Sequence, residues 1–266
     1  MYSFAYVRPS SVQAATEAAA ADGESKFLAG GMTLLPALKL RLARPDRLVD
    51  LAGLPGLGDI RIERERVDIG SMVRHAEVAA SADVRRVLPV LAELAGVIGD
   101  PLVRNRGTLG GSVANNDPAA DYPAAVLALG ATVVTDKREI PADAFFTGMF
   151  ATTLQAGELI TRVRFPLARR AAYVKYRNPA SRYAMVGVFV ADVGGAIRVA
   201  VTGAGPCVFR LTQFEAALTR NFAAAALDGM QVPSDGLNQD LHGSAEYRAS
   251  LVSVIARRAV AAALAR

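Results

Sequence analysis

The sequence is poor in the residues that bind metals or form cross-links. Its 266 residues include one cysteine, Cys207, and two histidines, His75 and His242. A single cysteine excludes an internal disulfide and cannot by itself ligate an iron–sulfur cluster or a structural zinc ion. Two histidines this far apart do not indicate a metal site or a catalytic triad. We therefore predict no metal site in this chain, and any iron–sulfur chemistry has to belong to another chain.

Long apolar segments are absent as well. No window approaches the roughly 18 uninterrupted apolar residues that a membrane-spanning helix requires. The opening residues 1–6, MYSFAY, lack the charged and then apolar layout of a secretory signal. The sequence therefore predicts a soluble, cytoplasmic protein with no membrane span.

Charge of one sign is only slightly in excess. Lysine and arginine number 30 against 25 acidic residues, which gives a formal net charge of +5. The basic residues are dispersed, and no basic run alternates with aromatic residues as in many nucleic-acid sites. A solvated basic surface is therefore favoured over nucleic-acid binding, although a phosphate-bearing ligand or an acidic partner would use the same charge.

Apolar periodicity and capping residues predict a chain of mixed helices and strands. Ser10 with Gln13 has capping-box spacing, Thr33 can cap a second helix, and Asp117 before Pro118 has the form of an N-cap. We predict helices over residues 14–21, 34–42, 84–98, 119–129, 211–219, 223–227 and 245–264. We predict strands over residues 26–29, 48–51, 59–63, 67–71, 131–135, 158–165, 173–177, 185–193 and 196–202.

The order of these elements is that of an α+β protein in three parts. Residues 1–55 are predicted to form a first lobe, and residues 56–166 a second lobe that begins with a hairpin. Residues 167–266 are predicted to form a smaller antiparallel sheet covered by helices. The boundary before this last part lies near Pro166.

Two glycine pairs are candidate ligand sites, and the first is Gly30 with Gly31. It lies between a predicted strand and a predicted helix. A residue without Cβ lets a phosphate approach the backbone, and free N–H groups before a helix favour negative charge. Glycine pairs at strand ends are also common in simple turns, so this loop alone does not establish a ligand site. A valine at Gly31 is expected to block a phosphate without unfolding the chain.

The second pair, Gly110 and Gly111, lies in an unusually polar stretch, residues 108–123, TLGGSVANNDPAADYP. Its hydroxyl, amide and carboxylate groups belong to Thr108, Ser112, Asn115, Asn116, Asp117 and Asp121. A diphosphate needs N–H and O–H donors, and a ribose diol needs a carboxylate or amide acceptor. Neither loop fits G-x-G-x-x-G or G-x-x-x-x-G-K-[ST], so a Rossmann nucleotide site and a P-loop are both disfavoured.

Both loops resemble the FAD signatures of a known family. The matching stretches are residues 29–45, AGGMTLLPALKLRLARP, and residues 108–123. They are similar to those of the FAD-binding medium subunits of the xanthine dehydrogenase and carbon monoxide dehydrogenase group. The opening FAYVRPSSVQAA, the strand GELITRVRFP and the closing DLHGSAEYRASLVSVIARRAV extend the resemblance over essentially the whole chain. It implies a two-lobed flavin domain of the vanillyl-alcohol-oxidase type (PCMH), followed by the small C-terminal domain of carbon monoxide dehydrogenase flavoproteins.

The resemblance implies one FAD in this chain and no catalytic residue. Backbone amides of the first loop would wrap the diphosphate, and Asp121 in the second wall would accept from a ribose or ribityl hydroxyl. Ile160 and Lys175 match positions near the ring ends of the pocket, and Tyr183 matches a position where some relatives place a ring against the flavin. The implied cofactor-binding residues are Ala29, Gly30, Gly31, Met32, Thr33, Leu34, Thr108, Gly111, Ser112, Asn115, Asp117, Asp121, Ile160, Lys175 and Tyr183.

Several of these residues also have simple structural explanations. Asp117 can be a helix N-cap, and Asp121 a first-turn carboxylate favoured by the helix dipole. Lys175 can be a solvated cation at a strand edge, and Tyr183 a core aromatic residue. Met32 stands where relatives carry a polar residue, so one side-chain contact to phosphate is lost there while main-chain contacts remain.

The implied role is electron transfer within a larger enzyme. A large partner subunit with a molybdenum cofactor would hydroxylate the substrate. A small partner subunit with 2Fe-2S clusters would relay electrons to the FAD, which reduces an external acceptor. A dimer of such heterotrimers is the implied assembly. Two alternatives stay open: a stand-alone flavin-dependent oxidase or reductase, and a flavin-free assembly subunit, for which the Met32 departure is the one point of support.

Overall fold

The computed structural model describes residues 1–21 and 23–265. Its strands are, in chain order, β1 Ala5–Val7, β2 Ser25–Leu28, β3 Arg47–Asp50, β4 Ile60–Ile62, β5 Arg66–Gly70, β6 Thr132–Thr135, β7 Glu139–Pro141, β8 Phe146–Gly148, β9 Ala151–Thr152, β10 Ile160–Pro166, β11 Arg170–Arg177, β12 Ala184–Val193, β13 Ala196–Thr202 and β14 Phe209–Arg210. Its helices are α1 Val12–Ala20, α2 Leu34–Lys39, α3 His75–Ala80, α4 Ala82–Val87, α5 Pro89–Gly96, α6 Pro101–Arg104, α7 Leu109–Asn115, α8 Tyr122–Ala128, α9 Thr212–Arg220 and α10 Ala245–Leu264, with 3-10 turns at Ala142–Ala144 and Ala224–Leu227.

The first sheet is parallel and the larger sheets are antiparallel. In the first sheet β1 and β2 both pair with β3, and α1 and α2 supply the crossover connections that parallel strands require. The second sheet has the order β4-β5-β10-β6-β7, the third has the order β11-β12-β13-β14, and β8 pairs with β9. The α+β class predicted from the sequence is confirmed.

The second and third sheets share one hydrophobic core. Alternate residues of β12 face opposite sides of the sheet, as the twofold period of a strand requires. Phe189 packs in the same cluster as Phe165 of the second sheet. Val188 packs on the other face with Phe214 of α9 and Ile255 of α10. The third sheet is therefore covered on both faces, and the division of the chain into three parts stays a prediction.

Several of the predicted helices begin or end differently, among them α2, which ends at Lys39 and not at residue 42. The hydroxyl of Ser11, not of Ser10, caps α1 and accepts from the Ala14 N–H at 3.1 Å. The helix predicted over residues 84–98 is two helices, α4 and α5, which meet at Leu88. Pro89 begins the second helix, and a proline there lacks the N–H that would continue the first.

The region after the second glycine pair also differs from its prediction. The helix predicted over residues 119–129 begins only at Tyr122. The Asp117 carboxylate accepts from the Ala119 N–H at 2.8 Å in a local turn, so it is not the N-cap of that helix. The sequence did not predict α3, α6 or α7.

Among the described residues, no helix combines the length and the apolar character that crossing a bilayer requires.

Candidate functional site

A cavity of about 860 Å³ is lined by both glycine loops. Its size falls within the range of ~300–1,000 Å³ typical of small-molecule and cofactor sites. All the residues predicted to hold FAD contribute to its wall: Ala29, Gly30, Gly31, Met32, Thr33, Leu34, Thr108, Gly111, Ser112, Asn115, Asp117, Asp121, Ile160, Lys175 and Tyr183. Residues separated by more than 150 positions thus meet around one space, although each contact with FAD stays a prediction.

The first loop lines this cavity and carries a row of backbone donors that have no acceptor in the described part of the chain. After β2 the chain turns through residues 30–33 and enters α2. Within the described residues, the backbone N–H groups of positions 30–34 donate to no acceptor. Successive free N–H groups of this kind form an anion-binding concavity. The loop therefore fits a diphosphate through its main chain.

Gly31 is required by the turn itself. Its φ of +75° lies in the left-handed region, which side chains disfavour. A Cβ added there would lie 2.9 Å from the Leu35 Cδ1 atom, inside the chain. Changing Gly31 to valine would therefore strain the folded loop, and it is not the clean block of phosphate binding that the sequence suggested.

The two loops are in direct contact. A Cβ on Gly30 would lie 2.2 Å from the carbonyl oxygen of Arg106, just before the second motif. A Cβ on Gly111 would lie 3.6 Å from the Cβ of Ala29. Only glycine at position 30 allows the two segments to approach this closely, and the predicted convergence of the loops is confirmed.

The second motif is a helix rather than an open loop. The hydroxyl of Thr108 caps α7 and accepts from the Gly111 N–H at 3.2 Å. The N–H groups of residues 109–112 all donate within the chain. The Ser112 hydroxyl has no hydrogen-bond partner among the described residues. This motif therefore offers side-chain hydroxyls, whereas the first loop offers backbone N–H groups.

Asp121 and Lys175 form a buried ion pair in the cavity wall. The Lys175 Nζ lies 2.9 Å from an Asp121 carboxylate oxygen, and the two side chains are 3% and 4% exposed. The Tyr173 hydroxyl donates to the other Asp121 oxygen at 2.5 Å. Burial raises the pKa of the Asp121 carboxyl, against the opposing effects of Lys175 and Tyr173.

This pairing decides one of the simple explanations, because Lys175 is buried and is not a solvated cation. Asp121 lies at the N-terminus of α8 without a capping hydrogen bond, so a favourable interaction with the helix dipole stays open beside the ion pair. The predicted contact between Asp121 and a sugar or ribityl hydroxyl stays a prediction, since a carboxylate can accept more than two hydrogen bonds.

Two aromatic rings in the wall have shifted pKa values. Burial lowers the pKa of His75 to about 4, so its imidazole is neutral at neutral pH. Partial burial and the charges of Asp117 and Asp121 raise the pKa of Tyr183. Tyr183 is 49% exposed, so its explanation as a core aromatic residue is wrong.

Several wall residues were missed by the sequence reasoning. They include Phe27, Leu51, Ser71, His75, Ile98 and Phe150. These residues belong to segments that the fold brings to the cavity from a distance: a Cβ on Gly107, for example, would lie 2.6 Å from the His75 Nε2. No local sequence signal marks such contacts.

Comparison with known proteins identifies a matching family. Residues 2–168 match the family described as the FAD binding domain in molybdopterin dehydrogenase. The nicotine 6-hydroxylase medium subunit of Paenarthrobacter nicotinovorans is 36% identical, over 98% of this chain and 97% of the relative. The carbon monoxide dehydrogenase medium chain of Hydrogenophaga pseudoflava is 35% identical, over 99% of this chain and 98% of the relative.

Solved structures give the same result. A chain of the reconstituted carbon monoxide dehydrogenase from Oligotropha carboxidovorans superposes with a TM-score of 0.91 at 32% identity, covering 100% of this chain and 99% of that one. A chain of quinoline 2-oxidoreductase from Pseudomonas putida 86 gives a TM-score of 0.89 at 30% identity, with coverage of 99% and 98%.

The fold and the cavity, taken with these similarities, define an FAD-binding subunit of an oxidoreductase. The chain belongs to the family of FAD-binding medium subunits of molybdopterin dehydrogenases, the xanthine dehydrogenase and carbon monoxide dehydrogenase group.

Proposed function

We propose that this chain carries electrons as the FAD subunit of a heteromeric molybdenum hydroxylase. It would stand between the 2Fe-2S clusters of a small partner subunit and an external acceptor. A large partner subunit would hold the molybdenum cofactor and transform the substrate. A dimer of such heterotrimers in the cytoplasm is part of the same proposal.

One observation carries this proposal. Two motifs about eighty residues apart converge on a single cavity, and one of them faces it with free backbone N–H groups at positions 30–34. A chain that only bridged partner subunits would have no use for a cavity of this size lined by such a row of donors.

The first loop would hold the diphosphate. Its N–H groups have no acceptor within the described chain, so they would be available to the phosphate oxygens. The N–H of Met32 is among the free donors, and the missing polar side chain therefore leaves the main-chain contact in place. The Ser112 and Thr108 hydroxyls would complete the opposite wall. When bound, FAD supplies two-electron redox chemistry that no side chain of the protein provides.

The remaining wall would contact the ribose and ribityl hydroxyls of FAD and its two planar ring systems. Asp121 is held by Lys175 and Tyr173, and its carboxylate would accept a further hydroxyl donor from the ligand. Ile160 is buried and apolar, as contact with a planar ring requires. The pair of opposite charges keeps the net charge of this part of the wall close to zero.

The stand-alone oxidase is less well supported. The described residues after Pro166 form one sheet with its covering helices, which is the layout of a small domain and not of a large cap over a substrate pocket. The chain also aligns with 97% and 98% of the lengths of two medium subunits, so its size is that of a subunit.

The test is to co-express the chain with the small and large subunits of its own enzyme. We expect one FAD per chain by absorbance, with molybdenum and iron in the same complex by elemental analysis. A colourless complex with full activity would support the assembly subunit instead. Substrate turnover by the flavin-loaded chain alone, without molybdenum or iron, would support the stand-alone oxidase.

A further inference from the structure

Two non-glycine residues in the cavity wall have left-handed backbone. Among the described residues, the non-glycine positions with positive φ are Arg41, Asn116, Phe150 and Arg182. Phe150 and Arg182 belong to the cavity wall, and Asn116 contacts Phe150. A bulky side chain in this conformation is a backbone outlier, and outliers of this kind cluster at ligand and active sites.

Asn116 holds Phe150 in this conformation. Asn116 is fully buried and donates through Nδ2 to the carbonyls of Gly148 and Ala151, each at 2.8 Å. The Phe150 N–H donates to the Asn116 carbonyl at 3.2 Å. The turn between β8 and β9 is thus fixed by main-chain and side-chain bonds together, and the position of the Phe150 ring is set by that turn.

The fold makes no use of the Phe150 ring. The residue is 58% exposed and belongs to none of the hydrophobic clusters of the described chain. Its neighbour Met149 is 53% exposed but is not part of the cavity wall. A strained turn therefore presents an aromatic ring at the cavity, although the core gains nothing from it.

We propose that Phe150 binds a planar conjugated ring by stacking at this cavity. The proposal rests on the proposed function, because the ring would belong either to FAD itself or to a planar electron acceptor. Stacked aromatic rings gain attraction beyond the area that they bury, which gives an exposed phenyl ring a purpose at this position.

Three variants test the proposal. Phe150→Asn removes the ring and keeps a residue that tolerates positive φ, so its thermal stability should be at least that of the wild type. Phe150→Tyr keeps the ring. Met149→Asn makes the same chemical change at the adjacent, equally exposed residue outside the wall. Melting temperatures of all three confirm that each chain is folded.

Two measurements distinguish the sources of the ring. The first is the affinity of the full chain, stripped of flavin, for added FAD. The second is the KM of the assembled enzyme for menadione and for NAD, with ferricyanide as an acceptor that has no aromatic ring. We expect Phe150→Asn either to lower the affinity for FAD or to raise the KM for menadione or NAD, in each case by roughly tenfold. Phe150→Tyr should restore it, and Met149→Asn should leave it unchanged.

An effect on FAD affinity assigns the ring to the cofactor, and an effect on menadione or NAD but not on ferricyanide assigns it to the acceptor. The proposal is overturned if Phe150→Asn leaves both measurements within twofold of the wild type, or if Met149→Asn weakens FAD affinity or raises KM by as much as Phe150→Asn does. A wild-type chain that binds no FAD would instead overturn the proposed function, so the two failures are distinguishable.

Discussion

Gly30→Ala tests the contact between the two loops. The added Cβ would lie 2.2 Å from the Arg106 carbonyl oxygen, so the two segments have to separate by about 1 Å to restore a normal contact. Overpacking of this kind costs ~1–3 kcal/mol. The loss of glycine freedom in the unfolded chain returns ~0.4–1 kcal/mol. We therefore expect a net destabilisation of about 1–2 kcal/mol and, because the loops move apart, weaker FAD retention.

The assay is thermal unfolding of the full chain with and without FAD. For a chain of this size the expected loss lowers Tm by roughly 2–8 °C. Gly58→Ala is the matched control, because Gly58 has no neighbour within 4 Å of an added Cβ and no positive φ. The control should keep or slightly raise Tm. A Gly30→Ala chain as stable as Gly58→Ala, with normal FAD content, would refute the direct contact between the loops.

Of three further predictions, two concern charged pairs and one concerns the residue at the C-terminal end of α2. Lys175→Met leaves the buried Asp121 carboxylate unpaired, and denaturant unfolding should show a loss of ~3–5 kcal/mol, part of which Asp121→Asn recovers in the double variant. Hydrogen bonding from Arg138 lowers the pKa of Glu158 from 4.5 to about 2, so its stabilisation is complete above pH 4.5 and lost as pH falls towards 2. The Tm of Glu158→Gln should accordingly vary less over that range than the wild-type Tm. Arg41 has a φ of +61° at the end of α2, and its guanidinium carbon lies 5.6 Å from the centroid of the Tyr2 ring. Arg41→Gly should raise stability by ~0.5–1 kcal/mol in the same unfolding assay. A loss of stability would show that the contact with Tyr2 matters more than the backbone strain.

The sequence predicted the elements whose signals are local. Three of the four strands of the third sheet, β11, β12 and β13, were predicted, and β13 and α10 have the predicted bounds. The glycine pair at positions 30 and 31 indicated the first loop, because a strand end, two glycines and a helix start are adjacent in the chain. Resemblance to a known family supplied the cofactor, which the residue pattern alone left open.

The second motif was misread because a distant contact determines its structure. Gly110 and Gly111 are poor helix formers, so local propensity favoured an open loop. A Cβ on Gly110 would lie 2.4 Å from the Ser71 Cβ, and this packing is what requires glycine inside α7. The consequence is functional, since the backbone donors expected from this motif are used within the chain.

The ion pair in the cavity wall also could not be predicted from the sequence. Asp121 and Lys175 are 54 positions apart, and their pairing depends on how the fold brings the Lys175 side chain of β11 to the residue that precedes α8. Each residue was predicted to be near the ligand, and both line the cavity. Their direct bond to each other could not be predicted, because it is a property of the assembled fold.

Amide hydrogen exchange of the full chain, with and without FAD, tests the central claim most directly. The N–H groups of residues 30–34 have no acceptor within the described chain, so they should exchange fast without the cofactor and become protected when it is added. Those of residues 109–112 are already bonded and should change less. Binding of FAD with no protection at residues 30–34 would contradict the account.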